Sequence, residues 1–186
     1  MFAFIMKSGR GLAAATAFAL LLSAAPATAS LETPEAKAEA SDAAAMARFD
    51  ADEVFGAKRP RPGQYLWREG MFDGEPRVVI SIGDQLAYLY RGADLVAVAS
   101  ISTGVDDHPT PKGIFQVMVK KPMHRSKKYD NAPMPFTQMF DKYGTALHAG
   151  PNPGHRASHG CVRLPTEFAR KLYSVTEIGA TVMIGA

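Results

Sequence analysis

From Arg77 to Val119 the chain repeats one pattern, a short run with apolar residues at every second position followed by a turn. Val78, Ile80 and Ile82 alternate with Val79 and Ser81, and Gly83-Asp84 closes the run. Leu86, Tyr88 and Tyr90 alternate along the next, closed by Gly92. Leu95 to Ile101 is apolar or small on both faces, as in a strand buried on both sides. Gly113 to Val119 and Thr181 to Ile184 supply two more strands. Runs this short, joined by Gly and Asp turns, predict a mainly β fold of antiparallel sheets closed as a sandwich or barrel. No helix-period segment alternates with the strands, so a doubly wound parallel sheet is not expected. One helix is predicted, from near Pro165 to about Ser174. Its start is marked by the early Pro and by Glu167 in the first turn, and Gly179 marks the exit.

The 186 residues suit about one domain, and 47% hydrophobic with 21% charged residues suits a packed core. The whole chain is not the unit that folds, however. Lys7 and Arg10 precede an uninterrupted small and apolar run from Gly11 to Ala25, and Ala27-Thr28-Ala29 forms an A-x-A site. Residues 1–29 therefore read as a signal peptide, with export and a mature chain from Ser30. The run is short of the ~20 residues that span a bilayer, so no stable membrane anchor is expected. Residues 30–60 carry seven acids against four bases and many Ala. Low hydrophobicity with excess charge predicts a flexible acidic tether over residues 30–63, ahead of a domain at 64–186. Met46, Phe49 and Val54 are spaced for one face of a short helix in that stretch. The net charge of +3 is too mild to imply nucleic acid as a partner. It combines that acidic stretch with a basic domain of fifteen bases and eleven acids from Arg61 onward.

Lys120, Lys121, Arg125, Lys127 and Lys128 cluster with no acid among them, and Pro133 and Pro135 follow. Such a stretch reads as a loop, since a central strand tolerates neither the prolines nor the charge. Two readings stay open: a solvated loop, or a loop that flanks a cleft and attracts an anionic substrate.

The chemistry-bearing residues crowd elsewhere. Three of the five histidines and the only cysteine fall between His148 and Cys161. Gly150, Pro151, Pro153, Gly154 and Gly160 make the intervening backbone a loop able to fold His148 back toward Cys161. A lone cysteine excludes an internal disulfide framework and every zinc site that needs two thiolates. A thiol is only a few per cent ionised near neutrality, so a nucleophilic Cys161 needs a base, for which His148, His155 and His159 are all candidates. A strand-like backbone would put His159 and Cys161 on one face. The polar flanks Ser158, His159 and Arg163 argue against an inert buried cysteine. A zinc site built from the three histidines and the thiol is disfavoured, because the spacing fits no closed zinc pattern and the Gly and Pro orient ligands poorly.

Ser158-His159-Gly160-Cys161-Val162-Arg163-Leu164 resembles the catalytic signature of the L,D-transpeptidase family, the YkuD-type domain. Asp84 to Tyr90 is similar to the family's opening hairpin. Ser102-Thr103-Gly104 with Thr110 to Phe115 resembles its T-P-x-G-x-F turn, and Met134-Pro135-Phe136 leading to Ala146–Gly150 also matches. The likeness covers about residues 76–186 and implies a mainly β, sandwich-like catalytic domain with its cysteine in a cleft.

By that resemblance Cys161 is the nucleophile and His148 the general base, with no cofactor and no metal. Ser158, His159, Gly160 and Arg163 are auxiliary or substrate-binding positions. The implied reaction is attack on a peptidoglycan stem, release of its terminal D-alanine, and transfer of the thioester to an amine. A second stem amine gives a 3→3 cross-link; an outer-membrane lipoprotein is another implied acceptor, and a periplasmic or otherwise extracytoplasmic location follows from the leader. A hydrolase on the same site and an inactive wall-binding module are the alternatives, the last opposed by the intact His148/Cys161 pair. The N–H groups of Gly160 and Cys161 are expected to face the developing oxyanion, and Arg163 to bind a stem carboxylate or anchor the loop on an acid. Two departures stand out. Only nine residues separate His148 from Ser158, a shorter span than the family's usual one, and Ala149 replaces the usual Gly. Ala149 suffices if its backbone carbonyl alone holds the His148 ring.

Overall fold

A computed structural model describes residues 31–186; the leader expected at residues 1–29 lies outside the described residues. Two sheets and two helices make up the fold, ordered α1 (Pro34–Phe55), β1 (Tyr65–Trp67), β2 (Pro76–Ser81), β3 (Leu86–Arg91), β4 (Asp94–Ser100), β5 (Gly113–Gln116), β6 (Val119–Arg125), β7 (Pro133–Met139), β8 (Ala146–Ala149), β9 (Val162–Leu164), α2 (Thr166–Val175) and β10 (Thr181–Gly185). The larger sheet runs β1-β4-β3-β2-β10-β5 and the smaller β6-β7-β8-β9. This is the mainly β, sandwich-like arrangement expected, with α2 as the short helix after the Cys161 segment. Most pairings are antiparallel, but β2/β10 and β8/β9 are parallel.

The inner faces of the two sheets share one core. Val78, Ile80, Leu89, Val182 and Ile184 of the large sheet meet Leu147, Val162 and Leu164 of the small one, and Phe168 and Leu172 of α2 close the end. The outer face of the large sheet is covered as well. Val79, Tyr88, Val98 and Met183 pack against Ala40, Ala44, Ala47 and Ala51 of α1. Burial on both faces explains why β2, β3 and β4 read as almost continuously apolar.

Residues 34–55 thus form an ordered helix where composition predicted a tether. Thr33 caps it, accepting from the Ala36 amide at 3.3 Å, and Pro34 stands at its first position. Its buried stripe is alanine at 36, 40, 44, 47 and 51, at helical spacing. Small side chains let backbone approach backbone: a Cβ added at Gly185 would lie 2.5 Å from the Ala40 carbonyl oxygen. Met46, Phe49 and Val54, the residues whose spacing suggested a helical face, point outward at 58%, 67% and 37% exposure. Leu31, just before the helix, exchanges backbone hydrogen bonds of 2.7 and 2.9 Å with Ile114 at the edge of β5.

Of the basic stretch, Lys120, Lys121 and Arg125 lie in a strand, and Lys127 and Lys128 in the turn that follows it. β6 and β7 form a hairpin arm, in which only the last residues of β7, Gln138 and Met139, pair onward with Leu147 and Ala146. Pro133 and Pro135 lie in the half of β7 that reaches beyond β8, where a missing N–H breaks no ladder. Lysine along β6 is the usual protection of an exposed edge. Lys120 also anchors the arm's base, its Nζ donating to the Tyr173 carbonyl at 2.7 Å and to that of Thr176 at the end of α2.

Candidate active site

β8 and β9 pair in parallel with Leu147 opposite Val162 and His148 opposite Arg163. Alternation along the strands sends Leu147, Ala149, Val162 and Leu164 into the core. His148 and Arg163, with Cys161 just before β9, take the opposite face. That face floors a cleft of about 550 Å³ beneath the β6–β7 arm, and Cys161 and His148 both line it.

His148 is 7% exposed, and its Nδ1 lies 2.8 Å from the Ala149 carbonyl oxygen. A carbonyl only accepts, so Nδ1 carries the proton and Nε2 keeps its lone pair. The alanine at 149 therefore costs the site nothing here, because the backbone oxygen does the holding. Gly150 leaves room for the ring: a Cβ there would press to 3.4 Å from His148 Cε1 and 3.3 Å from Arg163 Cγ. Burial holds the imidazole below its ordinary pKa of 6.5, with the Arg163 and His124 charges adding to the shift and the Ala149 bond opposing it. Cys161 is half-buried. Burial raises its thiol above the ordinary 9.0, helped by Asp141, while the Ala146 amide and Arg163 pull the other way. At neutral pH the two groups are thus an uncharged thiol and an uncharged imidazole.

A layer of hydroxyls and amides holds the turn at 158–161. Ser158, 2% exposed, accepts the Gly160 N–H at 3.2 Å and donates to the Cys161 carbonyl. The Gly160 N–H is therefore engaged within the turn, contrary to the role expected for it as an oxyanion donor. The Cys161 N–H makes no hydrogen bond among the described residues. Gly160 adopts φ +109, which favours glycine and turns the backbone out of strand geometry between His159 and Cys161. His159 and Cys161 nevertheless both line the cleft. The exposed His159 ring stacks on Tyr129 of the arm's tip, centroids 4.4 Å apart, and meets His108 edge-on at 5.3 Å.

Three further residues support the turn from the loop that joins β4 to β5. Thr110 Oγ1 accepts the Gly104 N–H at 2.9 Å and donates to the Gly160 carbonyl at 2.8 Å. The Thr103 carbonyl accepts from the Ala157 and Ser158 amides, 3.0 Å each, and Thr103 is itself gripped by Gln85. Gly104 permits this closeness: a Cβ there would stand 2.1 Å from the His108 oxygen and 2.9 Å from Gly160 Cα. Thr103, Gly104 and Thr110 fall within the motifs that carried the family resemblance, but nothing in their residue types announced what they hold.

His155 does not join the cleft. Its side chain is exposed and its carbonyl accepts from Ser102 at 2.7 Å. The whole short loop after His148 is pinned back onto the large sheet, with Asn152 donating to Ser100 at 2.9 Å and Arg156 pairing with Asp106 at 2.8 Å. The overhang above Cys161 comes from the arm, not from this loop. Arg163 makes no ion pair and no side-chain hydrogen bond among the described residues, so it does not anchor the loop on an acid. Among the same residues no group of three or more His, Cys, Asp or Glu side chains is placed to hold a metal ion.

The family model of the L,D-transpeptidase catalytic domain matches residues 75–184. Similar solved structures include the L,D-transpeptidase from Mycobacterium smegmatis, 20% identical over 60% of this chain and 59% of that one, TM-score 0.56. Another is the L,D-transpeptidase from Stackebrandtia nassauensis, at 23% identity, 74% and 65% coverage, and TM-score 0.56. A third comes from Xylanimonas cellulosilytica, at 22%, 74% and 69%, and TM-score 0.57. Likeness at these identities shows the fold. This chain spans less than two thirds of the length of the first two structures. No curated protein sequence matches it significantly.

Proposed function

Because this chain belongs to the L,D-transpeptidase catalytic domain family, we propose that it is a peptidoglycan L,D-transpeptidase in which Cys161 is the nucleophile and His148 the base. One observation carries the reading: the Nδ1 bond to the Ala149 carbonyl leaves Nε2 of a buried imidazole to accept a proton, on the sheet face that Cys161 shares. Sγ attacks the carbonyl of the third residue of a tetrapeptide stem as its proton passes to Nε2. The Cys161 N–H faces the resulting oxyanion, in a role typically worth a hundredfold or more in rate. The imidazolium then protonates the departing nitrogen, the C–N bond breaks, D-alanine leaves, and a thioester remains. An acceptor amine attacks that thioester and gives its proton to His148. Collapse forms the new amide and expels the sulfur, which regains its proton from the imidazolium.

The acceptor is a second stem amine, giving a 3→3 cross-link, and the leader-like residues 1–29 put the reaction outside the cytoplasm. Muropeptide analysis of cells with and without the gene tests both halves. Gene-dependent 3→3 dimers are expected. Gene-dependent loss of stem residues or release of a wall-linked lipoprotein, without dimers, would instead make water the acceptor. In the purified protein, Cys161→Ala is expected to abolish D-alanine release and carbapenem adduct formation by intact mass while the thermal midpoint holds. Retained turnover in that variant would overturn the nucleophile.

A further inference from the structure

The charge of the cleft is one-sided. Lys127, Lys128 and Arg163 line it together with His124, His148 and His159, and no Asp or Glu does. None of the three permanent cations has an ion-pair partner among the described residues, whereas Arg48, Arg59, Arg68, Arg156 and Arg170 elsewhere all have one. The acid whose charge bears on the thiol, Asp141, points its Oδ1 into its own turn, accepting the Tyr143 and Thr145 amides at 2.8 Å each. Lys127 and Lys128 sit at the arm's tip, held over the cleft where Tyr129 stacks on His159. Arg163 sits on the floor, beside His148. Positive charge thus stands above and below the space a stem would occupy, with no acid inside to repel its carboxylates.

We infer that the cleft selects donor stems by charge, taking those whose side carboxylates are free over otherwise identical stems in which they are amidated. The inference rests on the stem-donor reading above and adds to it which stem is used. A free carboxylate beside a fixed, unpaired cation gains Coulomb attraction that a neutral amide does not. Pairs with the exposed Lys127 and Lys128 and the half-buried Arg163 are individually weak, so the three cations together give a preference on the order of tenfold in kcat/KM at low salt. The preference shrinks as salt screens the cleft.

Two synthetic tetrapeptides differing only in free or amidated side carboxylates test it, with D-alanine release as the readout. Neutral iodoacetamide labelling of Cys161 reports that the site is intact. The free stem is expected to win by about tenfold, mostly through KM. Added salt should narrow the gap, and Lys127→Gln/Lys128→Gln should close most of it by raising KM for the free stem. Equal kcat/KM for the two stems, or a gap indifferent to salt and to the double variant, overturns the charge selection while leaving the stem-donor reading standing. Turnover of neither stem by protein that iodoacetamide still labels overturns the donor reading itself, and the selection with it.

Discussion

A thiol whose burial raises its pKa and an imidazole whose burial lowers its own meet at neutral pH as two neutral groups, not as a preformed ion pair. The proton must then leave sulfur during attack, and the pH behaviour follows. Iodoacetamide alkylation of Cys161 should be slow at pH 7 and climb with a midpoint above the ordinary thiol value of 9.0. A plateau already reached near neutrality would mean a thiolate–imidazolium pair and contradict the arrangement. The acid limb of kcat/KM for stem turnover should lie below 6.5, because burial and the Arg163 charge both disfavour the imidazolium. Stability carries the same sign: the unfolded chain takes up this proton near 6.5 and the folded one at lower pH, so stability falls as pH drops below 6.5. Ser158 is the other residue on which the turn depends. Ser158→Ala strands the Gly160 N–H and the Cys161 carbonyl, at a cost of about 1–3 kcal/mol in stability. A tenfold or greater drop in kcat should accompany it, because the same turn aims the thiol. Thermal melts beside D-alanine release rates check both halves, and a loss of stability without loss of rate would count against the aiming role.

Elements were legible in the sequence where burial leaves a period. β2, β3, β4, β5, β10 and α2 stand close to where apolar alternation, Gly turns and the Pro165–Glu167 start place them. α1 was not legible, because its inward stripe is alanine and exposed alanines also occur outside that stripe, at 38 and 45, so no contrast marks a face. The large residues that did suggest a face, Met46, Phe49 and Val54, point to solvent. β6 and β7 were hidden by lysine and proline, both of which a projecting arm with a free edge accepts. β8 and β9 were hidden by shortness, four and three residues between glycines and prolines. In the site, the Cys161 and His148 positions were legible from residue type and motif. The engagement of the Gly160 amide by Ser158 was not, because it depends on a turn geometry that composition does not encode. The alanine stripe gives a test of the helix–sheet contact. Gly185→Ala would drive a Cβ to 2.5 Å from the Ala40 oxygen and 2.7 Å from Ser41 Cα. Backbone on both sides leaves little room to yield, so a loss of about 1–3 kcal/mol is expected by urea titration. Gly83→Ala, whose Cβ would meet Ala186 at an ordinary 3.5 Å, is the control expected to lose far less.

At the scale of the whole molecule, the two sheets divide the work. The small sheet presents His148, Cys161 and Arg163 on its cleft face, and the β4–β5 loop of the large sheet braces the turn through Thr103, Gly104 and Thr110. The large sheet can hold that loop in place only while its own outer face is covered, and α1 is the cover. Hydrogen exchange on the intact protein decides whether that cover belongs to the folded unit. Amides from Ala40 to Ala51 should exchange as slowly as those of β2 and β3, since opening them uncovers Val79, Tyr88, Val98 and Met183. A flexible tether would exchange them at the rates of unstructured peptide. Removal of residues 31–58 gives the complementary reading. With α1 docked as part of the domain, the truncated protein should lose urea midpoint and bind an apolar dye on the exposed sheet face. Protein that kept its midpoint and bound no dye, with fast exchange over residues 40–51, would return the segment to the tether its composition suggested. Iodoacetamide labelling in the same truncated protein separates loss of cover from loss of site. A thiol that labels with the full-length pH profile would mean that the small sheet keeps its geometry without the helix.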